Sequence, residues 1–159
     1  NLSGADMRNV LLFEADLSRA DLSGVDLTRA RGPGIRLIQA NLEGANLQTM
    51  DLYQAQMNDA NLRNAILTTA NLEEARMFRA DLRGATVLDA HLPYAEMRGV
   101  NLAGAVFRYS DLYMADLAEA NLTDADFRET RLLSASLQDA NLTRTNFTGA
   151  RMPDNRIHP

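Results

Sequence analysis

The chain is predicted to fold as an all-β solenoid of four-sided coils, each twenty residues long, and two nested periodicities predict it. Every fifth residue from Leu2 to Ile157 is apolar, 31 of 32 positions, the exception being Gly32. These residues are 21 Leu, 5 Met, 3 Phe, Val87 and Ile157; Ala stands two places before them in 22 of 31 cases, and Asp or Asn one place before in 18 of 32. A period of five fits neither the 3.6-residue helix nor the two-residue strand, so the repeat must build an architecture of its own. The second period is twenty. Gly4, Gly24, Gly44, Gly84 and Gly104 fall in one column, as do Phe107, Phe127 and Phe147, and Met57, Met77 and Met97. Another column is Leu throughout, from Leu2 to Leu142. Four five-residue units therefore make one coil with four faces, and eight coils account for residues 1–159 as a single domain.

Each element has a physical reason. The central apolar residues form an inward ring in every coil, and the small Ala beside them lets the backbone turn tightly. Stacked coils pair backbone to backbone at about 4.8 Å, so eight make a rod of roughly 35–40 Å. Each buried Leu or Phe contributes on the order of 1.5–3 kcal/mol, and every coil repeats its neighbour's shape. Asn and Asp before the central residue are expected to bond backbone at the corners. In the column from Asn1 to Asn141 no two Asp are adjacent, which fits hydrogen bonding better than a stacked-carboxylate metal site.

The A(D/N)LXX pattern, as in ADLSRADLSGVDL (residues 15–27) and ANLEGANL (residues 40–47), resembles the pentapeptide-repeat protein family across essentially all 159 residues. The resemblance implies a right-handed quadrilateral β-helix with the central residue and the preceding Ala inward and the other three positions outward. It also implies a bacterial, and in particular a cyanobacterial, origin and a domain without catalytic activity.

Composition narrows function further. There is no Cys, which excludes disulfides, Cys-ligated zinc and thiol catalysis. All 16 basic residues are Arg, against 21 acidic ones, and the net charge of −5 argues against direct nucleic-acid binding. Over the four faces the net charges are −1, −1, −3 and 0, so no face is a strong acidic stripe. No apolar run approaches the ~18 residues of a membrane span, and no signal peptide is visible. The chain opens at Asn1 inside a repeat, and the expectation is a part of a longer parent chain, with targeting segments outside it and a cytoplasmic location favoured. No nucleophile–base arrangement or phosphate loop stands out, His91 and His158 are expected at the surface, and neither an enzyme nor a cofactor or metal site is expected.

In a repeat protein the departures carry the information. Arg31-Gly32-Pro33-Gly34-Ile35 removes one central apolar residue, and a local bulge is expected there, with Ile35 filling the space; Gly32, Pro33 and Gly34 are a candidate notch for a partner. A column of outward positions runs Phe13, Pro33, Tyr53, Glu73, Pro93, Tyr113, Leu133, Pro153, and its neighbour adds Tyr94 and Met114. Aromatics, Met and Arg are enriched at protein interfaces. Phe13, Tyr53, Tyr94, Tyr113, Met114 and Leu133, with Arg131 and Arg151, form the candidate protein-binding stripe, weighed against stacking that merely stabilises the face. A weaker patch, Ile66, Thr86, Leu88, Val106 and Tyr109, reads as structural. The expectation is a non-catalytic scaffold presenting a rigid rod to an unknown protein partner. The alternative, implied by the resemblance, is a duplex-DNA mimic that binds DNA gyrase and confers quinolone resistance; the scattered charge, unbroken phase and absence of a C-terminal amphipathic helix count against it. An uncapped N-terminal coil is expected to fray or to associate end to end, and Pro153 and Pro159 are expected to end the pairing.

Overall fold

The computed structural model describes residues 1–159 as eight stacked coils, the first spanning 1–20 and the eighth 141–159. One position per five-residue unit, the residue before the central one, makes a parallel β-bridge to the residue twenty further on. From the second to the sixth coil four such bridges per coil define four faces, which in the first coil are residues 1–5, 6–10, 11–15 and 16–20. No helix is present.

The hydrogen bonds explain why the unit is five residues. The central N–H reaches up one coil, as from Leu2 to the Asp21 carbonyl (2.8 Å), and so does the N–H two places on, from Gly4 to Ser23 (2.8 Å). The bridge residue donates back down, as from Asp26 to Ala5 (2.9 Å). Between them the Ala5 N–H closes a turn on the Leu2 carbonyl (3.0 Å). The third residue of that turn has positive φ in all 30 units from residue 4 to residue 149, eight of them Gly and 22 not. That is the signature of a type II turn, which needs a left-handed residue at its third place. Repeating it every five residues makes four corners per coil.

One N–H per unit, that of the residue after the central one, takes no part in the ladder. All 18 Asp and Asn at the bridge position accept it through their own Oδ1, from Asn1 with Ser3 (2.8 Å) to Asn146 with Thr148 (3.0 Å). This is the corner role expected of them. Asn side chains also link coils, Asn61 donating to Asn41 (2.9 Å) and Asn41 to Asp21 (3.2 Å). In the next column Asp6 and Asp26 do stack, and Arg8 bridges both.

The same N–H accounts for proline. Pro33, Pro93 and Pro153 all occupy this position, in units whose bridge residue is Arg31, His91 or Arg151 and so cannot cap it. Proline has no N–H to satisfy and suits the second place of such a turn. The expectation that Pro153 ends the pairing is therefore corrected: its carbonyl accepts from the Ser134 N–H (3.1 Å) as in any other coil. Pairing ends instead where the chain folds back. Arg151 bridges Ile157 in antiparallel sense, the His158 N–H bonds the Ala150 carbonyl (2.9 Å), and the His158 ring lies 5.9 Å from that of Phe147.

The core is an axial column of 45 buried apolar residues. Phe107 and Phe127 stack face to face with ring centres 4.9 Å apart. In the first coil Leu2, Met7, Leu12 and Leu17 are only half-buried. Two buried polar residues replace Ala. Ser110 Oγ donates to the Val87 carbonyl (2.6 Å) and accepts from the Ala90 N–H (3.1 Å), entering a turn whose own closing bond is missing. Thr130 Oγ1 donates to the Phe107 carbonyl (3.1 Å).

Candidate functional site

Corner geometry decides where the third face presents its side chains. Columns 13 and 14 are the two central residues of each turn, so they project at the edge between the third and fourth faces. Phe13 is exposed, with the Arg31 guanidinium 5.2 Å from its ring centre. Tyr53 is half-buried, and burial first, then Glu74 and Glu73, hold its hydroxyl above the usual phenol range. Pro93 is buried. Glu73 and Glu74 interrupt the stripe between Tyr53 and Tyr94, so what the sequence presents as one column is two apolar patches.

The larger patch is assembled by contact. Tyr94 and Tyr113 meet edge to face at 5.6 Å, and Arg131 lies 4.9 Å above the Tyr113 ring. Arg131 also bonds Asp111 (2.9 Å), which fixes its plane over the ring. Met114 is exposed and Leu133 half-buried beside them, while Arg151 stacks on Arg131 and is exposed. Edge-to-face and cation–π contacts at exposed positions such as these are each worth about 0.5–1 kcal/mol, so they pre-organise the patch. His91 is exposed in the same column, 3.7 Å from Glu73 and 4.0 Å from Asp111.

The candidate notch has regular backbone. Gly32 donates to Asp51 (2.8 Å), Gly34 to Tyr53 (2.7 Å), and Ile35 closes the turn on Gly32 (3.0 Å), as in every other unit. The expected bulge is absent because Pro33 sits where no ladder N–H is needed. The missing central side chain is replaced from two neighbouring inward positions: a Cβ on Gly32 would stand 3.2 Å from Met50 Cε and 3.3 Å from Ile35 Cβ. Gly34 has positive φ and forms a side-chain-free gap in the corner ridge.

That gap opens into a groove of about 680 Å³ along the corner, which sequence reasoning missed. One wall is the ridge Glu14, Gly34, Gln54, Glu74, Tyr94; the other is the column of Arg36, Gln56, Arg76 and Glu96. The only sequence signal was the spacing of twenty between these residues, which needs the corner geometry to become a wall. The weaker patch on the second face is built on bridged β-branched residues, Ile66 to Thr86 to Val106, as a pleated surface favours. No group of three His, Asp or Glu side chains converges as a metal site would require.

Eight copies of the pentapeptide-repeat pattern match the chain, over residues 1–29, 34–68, 55–92, 88–124 and 115–152. The chain belongs to the pentapeptide-repeat family, whose fold is the right-handed quadrilateral β-helix, and family members are in general non-catalytic. It is similar to the solved structure of HetL, a pentapeptide repeat protein involved in heterocyst differentiation regulation from the cyanobacterium Nostoc (26% identity, 99% of this chain and 93% of that one, TM-score 0.36). It is also similar to Rfr23 from the cyanobacterium Cyanothece (24%, 91% and 84%, TM-score 0.34). QnrB1, a plasmid-mediated fluoroquinolone resistance protein, matches at 19% identity over 91% of this chain and 85% of that one, with a TM-score of 0.49. Among curated proteins none matches the sequence.

Proposed function

We propose that the chain is a non-catalytic scaffold that binds a protein partner through the patch of Tyr94, Tyr113, Met114 and Leu133 on the third face. One observation carries this reading: the patch is exposed apolar surface pre-organised by the Asp111–Arg131–Tyr113 contacts, in a molecule whose other outward positions are mostly polar. Rigid aromatic anchors ringed by Arg are the residues that dominate protein interfaces. Phe13 and Arg31 form a smaller second contact on the same edge.

Charge placement favours this over a duplex-DNA mimic. A mimic needs free carboxylates at phosphate-like intervals, whereas Asp6, Asp59, Asp81, Asp124 and Asp126 are each paired with Arg from the same or the adjacent coil. A photo-crosslinking amino acid placed at Met114, and separately at Thr143 on the first face, tests the proposal in lysate. Adducts formed only from position 114, with a protein that then rebinds in purified form, support it. Equal adducts from both positions, or none from 114, overturn it.

A further inference from the structure

The groove beside Gly34 is a second surface, and its walls differ. On the column wall the charges cancel in place: Arg36 bonds Asp16 (3.3 Å) and Gln56 (3.0 Å), and Arg76 faces Glu96 at 3.5 Å. On the ridge wall Glu14 and Glu74 have no cationic partner; Glu74 takes an amide bond from Gln54 (2.8 Å) and faces the Tyr53 hydroxyl. The third face carries a net charge of −3, the most acidic of the four. Glu14 leans across the gap, its Cγ 3.4 Å from where a Cβ on Gly34 would stand. The lining carries three Glu against two Arg, and a groove of net negative charge whose unpaired acids lie on one wall complements an extended cationic chain.

We infer that this groove binds an extended basic peptide segment carrying two Lys or Arg four residues apart. The spacing follows from two lattices. Glu14 and Glu74 stand three coils apart, about 14 Å at 4.8 Å per coil, while four residues of extended peptide span about 13.6 Å at 3.4 Å each. Successive side chains of a strand alternate sides, so residues three or five apart cannot both face the ridge. Gly34 lies between the two acids and adds no side chain of its own to the ridge, the Gln54 and Gln56 amides offer the peptide backbone donors and acceptors, and Tyr94 closes one end with a ring for a cation. This goes beyond the proposed partner patch, with which the groove shares only Tyr94.

Fluorescence anisotropy with labelled twelve-residue Gly-Ser peptides tests the inference. The probes carry two Lys four residues apart, two Lys three apart, or two Glu four apart. The expected result is at least tenfold tighter binding of the four-spaced Lys peptide than of either other probe. Glu14→Gln with Glu74→Gln should remove that preference, while Asp139→Asn on the fourth face keeps it; unchanged circular dichroism and Tm certify the fold. Equal binding of both Lys spacings, tighter binding of the Glu peptide, no binding at millimolar peptide, or insensitivity to the Glu changes would each overturn it. Leu133→Glu, which disables the proposed partner patch, should leave this binding intact, so the two readings fail separately.

Discussion

Gly32 sits at a central position where every other unit places a large apolar side chain, and the structure says that Ile35 and Met50 fill its space. Replacing Ile35 by Ala deletes three buried carbons beside a residue that has none, and large-to-small changes of this kind cost about 2–5 kcal/mol. Gly32→Leu alone drives a side chain into Met50 Cε and Ile35 Cβ, which stand 3.2 and 3.3 Å from its first carbon. Overpacking of this sort costs about 1–3 kcal/mol. Gly32 lies outside the left-handed region, so Leu meets no backbone objection there. The double variant restores the ordinary unit, Leu at the centre and Ala at the inward neighbour, and nearly conserves volume. Its loss should stay below about 1.5 kcal/mol. The coupling between the two changes should then exceed about 1.5 kcal/mol, well outside the scatter expected of independent sites. Urea unfolding of the four proteins, followed by far-UV circular dichroism, measures it. Additive losses would refute the claim that these side chains share one space.

Three further outcomes follow from the corners and caps. Thr69 is β-branched at positive φ, a conformation costing about 1–2 kcal/mol, against about 0.5–1 kcal/mol of chain entropy for Gly; Thr69→Gly should raise the Tm, and Gly44→Ala should lower it although its new Cβ meets nothing within 4 Å. Calorimetry showing the opposite signs would refute the left-handed assignment. Ser110→Ala should cost no more than about 1.5 kcal/mol, because the Ala90 N–H and Val87 carbonyl can then pair directly as in the other turns; a loss twice that in urea unfolding would show they cannot. Asp6 is held down to about 2 by the Arg8 side chain, Asp21 and Asp26 are held low by the Ser23 and Thr28 hydroxyls, and Asp81 and Asp126 by Arg83 and Arg128. A carboxylate depressed in the native state stabilises it above its ordinary value of 3.8 and loses that stabilisation as pH falls through the native value. Tm should therefore be level from pH 7 to 5 and fall between about 4 and 2; a fall already complete at pH 5 would contradict the assignment.

The repeat made the coil, its four faces and its core legible, because each inward position recurs at a fixed interval and needs a fixed residue type. The corners were less legible. Five glycines marked one column, yet Thr49, Tyr94 and Glu119 adopt the same left-handed turn, held there by ladder bonds on both sides rather than by propensity. Pro33 suggested a bulge because the one N–H outside the ladder is invisible in a linear sequence. The aromatic column was visible, but its division by Glu73 and Glu74 and its clamping by Arg131 depend on side-chain directions at the corner. The groove beside Gly34 was hidden for the same reason, since its two walls belong to different faces.

The third-face patch is proposed to bind a protein partner. Isothermal titration of the purified cross-linked partner into the wild-type chain and into Tyr113→Glu with Leu133→Glu tests it most directly. The expected binding to the variant is at least tenfold weaker, at an unchanged Tm. Equal affinity of the two folded proteins would contradict it.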